Sequence, residues 1–263
     1  MYPSLSWREL FQPHSPLWHY LWLAPHLMQF AIAAVMVKRR MVREFPMFFV
    51  YTIFQATKES SLFLLDHSPS ISPLAYWSFA GIGMGGDVIT RFAAIYEIFG
   101  KVFRPYAGLK RLGDLLLKWS GALLLMVAVA VAWYAPGVVM GRVTDGYNLV
   151  DRTISLVQSG LLVFLFVFAS YFGITWRNFT FGIALGLGIY ASVVLFTAAI
   201  RVQSGPFRGD FFLDFLLMVT YHVSVLLWLA YLLLPEAASA PISHLPENNL
   251  EQWNAELERL LLQ

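Results

Sequence analysis

The chain has no cysteine among its 263 residues. That removes disulfides, thiolate metal sites, iron–sulfur clusters and catalytic thiols together. Charge is scarce too. Asp, Glu, Lys and Arg make up 13% of the residues, against roughly 25% in soluble domains, and the formal net charge is only +2. So slight a basic excess gives no electrostatic footprint for nucleic acid. There is no internal repeat and no long low-complexity stretch. No cleavable leader is expected either, because only Arg8 precedes a first apolar run that is itself long enough to span a bilayer. What is abundant is apolar side chain. Hydrophobic residues reach 58%, where a soluble chain has roughly 45–50% even with glycine counted, and the mean hydropathy is +0.62. A soluble fold cannot bury that excess. The expected class is an all-α, polytopic, multi-pass protein of the cell membrane, with the inner membrane of a bacterium as its location.

A helix needs about 20 mainly apolar residues to cross the hydrocarbon core. That ruler predicts seven transmembrane helices at about 17–37, 45–66, 76–100, 119–140, 149–172, 178–200 and 211–234. The second and third differ from the rest in carrying Lys58, Glu59, Asp87, Arg91 and Glu97. Basic residues in short loops set orientation. One side collects Lys38, Arg39, Arg40, Arg43, Lys101, Arg104, Lys110, Arg111, Lys118 and Arg177; the other has only Arg8, Arg142, Arg152, Arg201 and Arg208. The richer side is expected to be cytoplasmic, which puts the N-terminus outside and the C-terminus inside.

Trp18, Trp22, Tyr76, Trp77, Trp119, Trp133, Tyr134 and Trp176 fall near the span ends, where amphipathic rings favour the headgroup level. Gly81–Gly85 and Gly182–Gly186 have the four-residue spacing that lets two helices approach closely. After the transmembrane domain, 1–234, comes a proline-punctuated linker, 235–248. A terminal segment, 249–263, places Leu250, Trp253, Leu257, Leu260 and Leu261 opposite Glu251, Glu256 and Glu258. This amphipathic helix, acidic on its polar side, is expected to meet the basic cytoplasmic loops, a protein partner or a second copy of the chain, more than anionic lipid.

Several motifs are set aside by their context. Gly81-Ile-Gly-Met-Gly-Gly86 spells a dinucleotide loop, but no strand precedes it and it lies within a span. Asn178-Phe-Thr is a glycosylation sequon on the expected cytoplasmic side. Seven spans with an external N-terminus is the architecture of retinal proteins and G-protein-coupled receptors. None of the five lysines (Lys38, Lys58, Lys101, Lys110, Lys118) lies in the last span to form a Schiff base, and Gly100-Lys-Val-Phe stands where an Asp-Arg-Tyr triplet would.

Charges inside spans are the informative feature, since each is costly in the bilayer and normally faces the bundle interior with a partner. Tyr51, Gln55, Lys58 and Glu59 share one face of the second span, and Asp87 and Arg91 sit four apart on the third, in the favourable acid-first order. The two spans run antiparallel, so these groups reach similar depth and sum to zero charge. They are expected to pair across the two spans. The result is either a static network that fixes helix register or a site for a small ligand or proton. Asp151, Arg152, Ser155, Gln158 and Asp214 could form an outer entrance to it. His26 and His222 fall near mid-depth in the first and last spans, with His19 two turns outward. Two facing imidazoles could hold a haem or a quinone, but the bulky Met218, Tyr221 and Val225 near His222 make haem the weaker expectation, and no resident cofactor or metal is expected.

The leading reading is a non-catalytic, receptor-like or accessory membrane subunit built around Lys58, Glu59, Asp87, Arg91 and Gln55. A haem- or quinone-linked redox subunit and a small-solute or ion transporter are the alternatives.

Overall fold

A computed structural model describes residues 12, 14–102, 178–204, 211–234, 253–255 and 258–259. Among these, all regular structure is helical. Five long helices occur: α1 (Pro16–Lys38), α2 (Pro46–Asp66), α3 (Pro73–Val102), α4 (Phe179–Ser204) and α5 (Phe211–Leu233), with a 3₁₀ turn at Met41–Arg43. They coincide within a few residues with the expected spans at 17–37, 45–66, 76–100, 178–200 and 211–234. The expected spans at 119–140 and 149–172, the linker 235–248 and most of the terminal segment lie outside the described residues. Three helices, Pro16–Lys38, Phe179–Arg201 and Phe211–Leu233, are long and apolar enough to cross a membrane. α2 and α3 have comparable or greater length, 21 and 30 residues, and carry Lys58, Glu59, Asp87 and Arg91.

Helix ends follow local chemistry. Ser15 caps α1, its Oγ accepting from Trp18 N at 3.2 Å, and Pro16 occupies the first turn, where its missing N–H costs nothing. Ser72 Oγ accepts from Ala75 N at the start of α3. Asn178 Oδ1 accepts from Thr180 N at 2.8 Å at the start of α4, which gives the sequon asparagine a capping role. α2 has Phe45 at its N-cap and therefore no cap of its own. Glu97 of α3 supplies one, accepting from Met47 N at 3.2 Å and Phe48 N at 2.9 Å. A carboxylate there satisfies two orphan donors and complements the positive end of the helix dipole. At the same end of the bundle, the Arg39 guanidinium donates to the Leu232 carbonyl in the last turn of α5.

The packing order runs α3–α2–α1–α5–α4, and α4 returns to touch α3, so the described helices close a ring. The half of the ring nearest the basic loop at residues 38–43 is solid. Ile32, Met36, Phe45, Phe48, Ile98, Phe179, Trp228 and Leu232 are buried there, and Phe48 meets both Phe179 and Trp228 edge-on. Outward-facing side chains are apolar as well, including Leu27, Phe30, Ile82, Ile89, Val223 and Leu226. Apolar residues on both the inner and outer faces are what a bundle in lipid requires.

The glycines divide differently from the expected spacing. A Cβ on Gly182 or Gly186 would come within 2.3 Å of Tyr231 or 2.2 Å of Trp228, so this pair does seat α5 against α4. On α3 the close contacts belong to Gly83 and Gly86, facing Lys58 and Phe54, while Gly85 has open space around it. The helix is rotated so that spacing alone picked the wrong member of the glycine run.

Candidate functional site

Above the solid half, the ring lines a half-open cavity of about 260 Å³. Every described long helix contributes to its wall: Leu21, Trp22 and His26 from α1; Tyr51, Gln55, Lys58 and Glu59 from α2; Asp87 and Arg91 from α3; Tyr190 from α4; and Leu217, Met218 and Tyr221 from α5. All five residues expected to form the polar cluster are therefore brought together around one space. Local geometry explains how α2 does this, since residues 51, 55, 58 and 59 recur at helical spacing and present one face. Pro25, one turn after Leu21, interrupts the α1 hydrogen-bond ladder. It has no N–H, so the Leu21 carbonyl lacks its helical donor.

The pairing follows expectation for Asp87 and Arg91 within one helix and departs from it between helices. The ion pairs form within helices: Lys58 Nζ lies 2.9 Å from Glu59 Oε1, and Arg91 pairs with Asp87 one turn away. The bond between the two helices is made by Gln55, whose amide donates to Asp87 Oδ1. The two helices are in register, and a neutral amide meets Asp87 across the interface. Asp87 and Arg91 are almost wholly buried, at 1% and 4% exposure. Gly83 gives the Lys58 stem its passage toward Glu59, because a Cβ at that position would lie 2.9 Å from both Cγ and Cδ of the lysine.

A second chain of bonds enters from α1. His26 Nδ1 and Gln29 Oε1 are 2.9 Å apart, and Gln29 Nε2 donates to the Tyr221 hydroxyl at 2.7 Å. Tyr51 lines the cavity beside Tyr221 and Gln55, and the Trp228 ring meets both tyrosines edge-on, at 6.1 and 6.4 Å between centres. The sets His26–Gln29–Tyr221 and Gln55–Asp87–Arg91 thus tie α1 to α5 and α2 to α3 through polar groups that would be expensive to leave unpaired in low dielectric. Trp22, expected as an interfacial anchor, instead donates its indole N–H to Glu59 Oε2 at 3.1 Å. Tyr190 lies beneath the Arg91 guanidinium, 5.8 Å from ring centre to Cζ.

Two expected features sit elsewhere. His26 lines the cavity, but His222 does not. It lies against the Tyr20 ring, at 5.6 Å between centres, while its neighbour Tyr221 faces inward against His26. One step along a helix turns a side chain by about 100°, so residues 221 and 222 cannot share a face. Of the expected entrance, Asp214 pairs with Arg201 at 2.6 Å, joining the adjacent ends of α4 and α5. Asp151, Arg152, Ser155 and Gln158 lie outside the described residues.

Gln29 and Tyr190 were not among the residues singled out from sequence, and Tyr221 was named only as bulk beside His222. The usable signal was Gln29, a fully buried amide in an otherwise apolar run. The two tyrosines gave none, since a tyrosine in a span looks the same whether it faces lipid or a cavity.

No protein-family model, curated protein or solved structure matches the chain.

Proposed function

We propose that this protein is a non-catalytic membrane receptor or accessory subunit that binds a small polar molecule within its helix bundle. The carrying observation is that Lys58, Glu59, Asp87 and Arg91 line a shared cavity. A network that only fixed helix register would be closed over by its own partners and by packing. Here two ion pairs, three tyrosines and an imidazole surround open volume. The charges balance, so the preferred occupant is neutral or zwitterionic overall, with both donors and acceptors. A volume of about 260 Å³ falls below the roughly 300–1,000 Å³ of drug-sized pockets, which favours a compact ligand. In this reading the chain crosses the membrane seven times with the N-terminus outside, and signals by presenting its basic cytoplasmic loops and acidic terminal helix to a partner or to a second copy.

Native mass spectrometry of the detergent-purified chain tests the reading. The expected result is a co-purifying small molecule on the wild type that is lost from the Asp87→Leu/Arg91→Met double variant while the variant stays folded. An empty wild type, or the same bound mass on both proteins, overturns it.

A further inference from the structure

Three of the chain's six histidines gather at the end of the bundle where α1 begins and α2 ends. The ring of His19 lies 4.9 Å from that of His67 and 5.8 Å from that of His14, centre to centre. Asp66 stands beside them, its Oδ2 3.7 Å from His14 Nδ1 and 3.8 Å from His67 Nδ1. This cluster is separate from the cavity, and the proposed ligand site uses none of it.

His67 and His19 each leave Nε2 available. His67 Nδ1 is 2.9 Å from the Phe63 carbonyl, which can only accept, so Nδ1 carries the proton and Nε2 keeps its lone pair when the ring is neutral. The same ring stacks on Phe63 at 4.3 Å between centres. His14 turns Nδ1 toward the Asp66 carboxylate. His19 Nε2 is buried and makes no hydrogen bond. A histidine that donates one nitrogen to a carbonyl or carboxylate and leaves the other free is the arrangement that outer-sphere partners impose on metal ligands. Two further observations agree. With a metal–nitrogen bond of about 2.0–2.1 Å, tetrahedrally placed imidazoles sit about 5.2 Å apart between ring centres, and the two observed separations bracket that value. His14 also adopts a left-handed backbone, φ 60°, uncommon for a residue with a side chain.

We propose that His14, His19 and His67 form a three-histidine site for a first-row divalent cation of the zinc, nickel or copper class, with Asp66 orienting His14. Imidazole donors suit these ions, and the missing thiols and single carboxylate do not suit calcium or magnesium. As the rings stand, no three donors among the described residues are gathered as around a bound ion. Closure needs the His14 and His67 rings to turn toward His19 Nε2, and with side chains 62% and 42% exposed they are free to do so. Their exposure also gives an ion in solution direct access.

The test uses the full chain without an affinity tag, stripped by chelator in detergent. Zn²⁺ is titrated calorimetrically, and Co²⁺ serves as an optical probe. The expected result is one ion per chain, with tetrahedral cobalt bands that Zn²⁺ displaces. His14→Ala and His67→Ala, both at exposed side chains where folding is safe, should each weaken binding at least tenfold. Asp66→Asn should weaken it by about 10–100-fold, as removal of outer-sphere partners does. His26→Ala and His222→Ala should leave it unchanged. A wild type that takes up no Zn²⁺ at micromolar concentration, or unchanged affinity in the His14→Ala/His67→Ala double variant, overturns the proposal.

Discussion

Gln29 of α1 donates its amide to the Tyr221 hydroxyl of α5 at 2.7 Å, a bond between residues 192 positions apart that joins the first described helix to the last. Gln29 is fully buried, and its carbonyl oxygen is already engaged with His26. The amide therefore fixes the rotation of α1 relative to α5 and the orientation of the cavity imidazole together.

Tyr221→Phe should strand the Gln29 amide in the bundle interior. The expected loss is about 1–3 kcal/mol, the desolvation cost of an unpaired buried donor. Gln29→Leu with Tyr221→Phe should lose less than the two single changes combined. Thermal unfolding in detergent across the four proteins measures this coupling, and strict additivity would show that the bond contributes nothing.

Asp87 and Arg91 give the larger effect. Arg91→Met takes the ion-pair partner from a buried carboxylate, and breaking one side of a buried pair typically costs about 3–5 kcal/mol. Asp87→Leu with Arg91→Met removes both charges at similar volume and should recover most of that loss. Chemical or thermal denaturation of the two variants decides it. If Arg91→Met is as stable as the parent, the pair faces water in the folded protein.

Glu97 is predicted to act on a helix that it does not belong to. Glu97→Ala uncovers the Met47 and Phe48 amides at the start of α2, and loss of a cap costs about 0.5–2 kcal/mol. The signature is local. Hydrogen exchange should rise at residues 47 and 48 and stay unchanged at the start of α4, which Asn178 caps independently.

The glycines make opposed predictions. Gly186→Ala puts a Cβ against the buried Trp228 ring and should destabilise by about 1–3 kcal/mol, as overpacking does. Gly85→Ala meets open space and should be neutral or stabilising by up to about 1 kcal/mol, from helix propensity alone. Equal effects at the two positions would contradict the observed rotation of α3 or of α4.

The thiol-free chain allows the proposed orientation to be read directly. Cysteines introduced at Ser70 and Gly205 should react with an impermeant maleimide in intact cells, and those at Ala107 and Ser239 only after the membrane is opened. Labelling at Ala107 in intact cells would invert the topology.

The positions of the described helices could be read from sequence because they rest on local causes. Apolar run length sets where a span can lie, and Ser15, Pro16, Pro46 and Asn178 mark starts through chemistry within one turn. The polar set Gln55, Lys58, Glu59, Asp87 and Arg91 was legible for a related reason, since a charge in an apolar run has few tolerable surroundings. Helical spacing alone put residues 51, 55, 58 and 59 on one face. What the sequence could not determine was each helix's rotation about its own axis and the identity of its neighbours. Those decide that Gly83 and Gly86 make the contacts of α3 while Gly85 does not, and that Tyr221 faces the cavity while His222 meets Tyr20. They turn Trp22 from an interfacial ring into a donor to Glu59, and they let Glu97 cap a helix whose own N-cap is Phe45. They also gather His14 and His19 with His67, about fifty residues further along the chain, because α1 begins at the same end of the bundle at which α2 stops. Each of these depends on many small packing contacts summed over whole helix faces, and no short stretch of sequence encodes that sum.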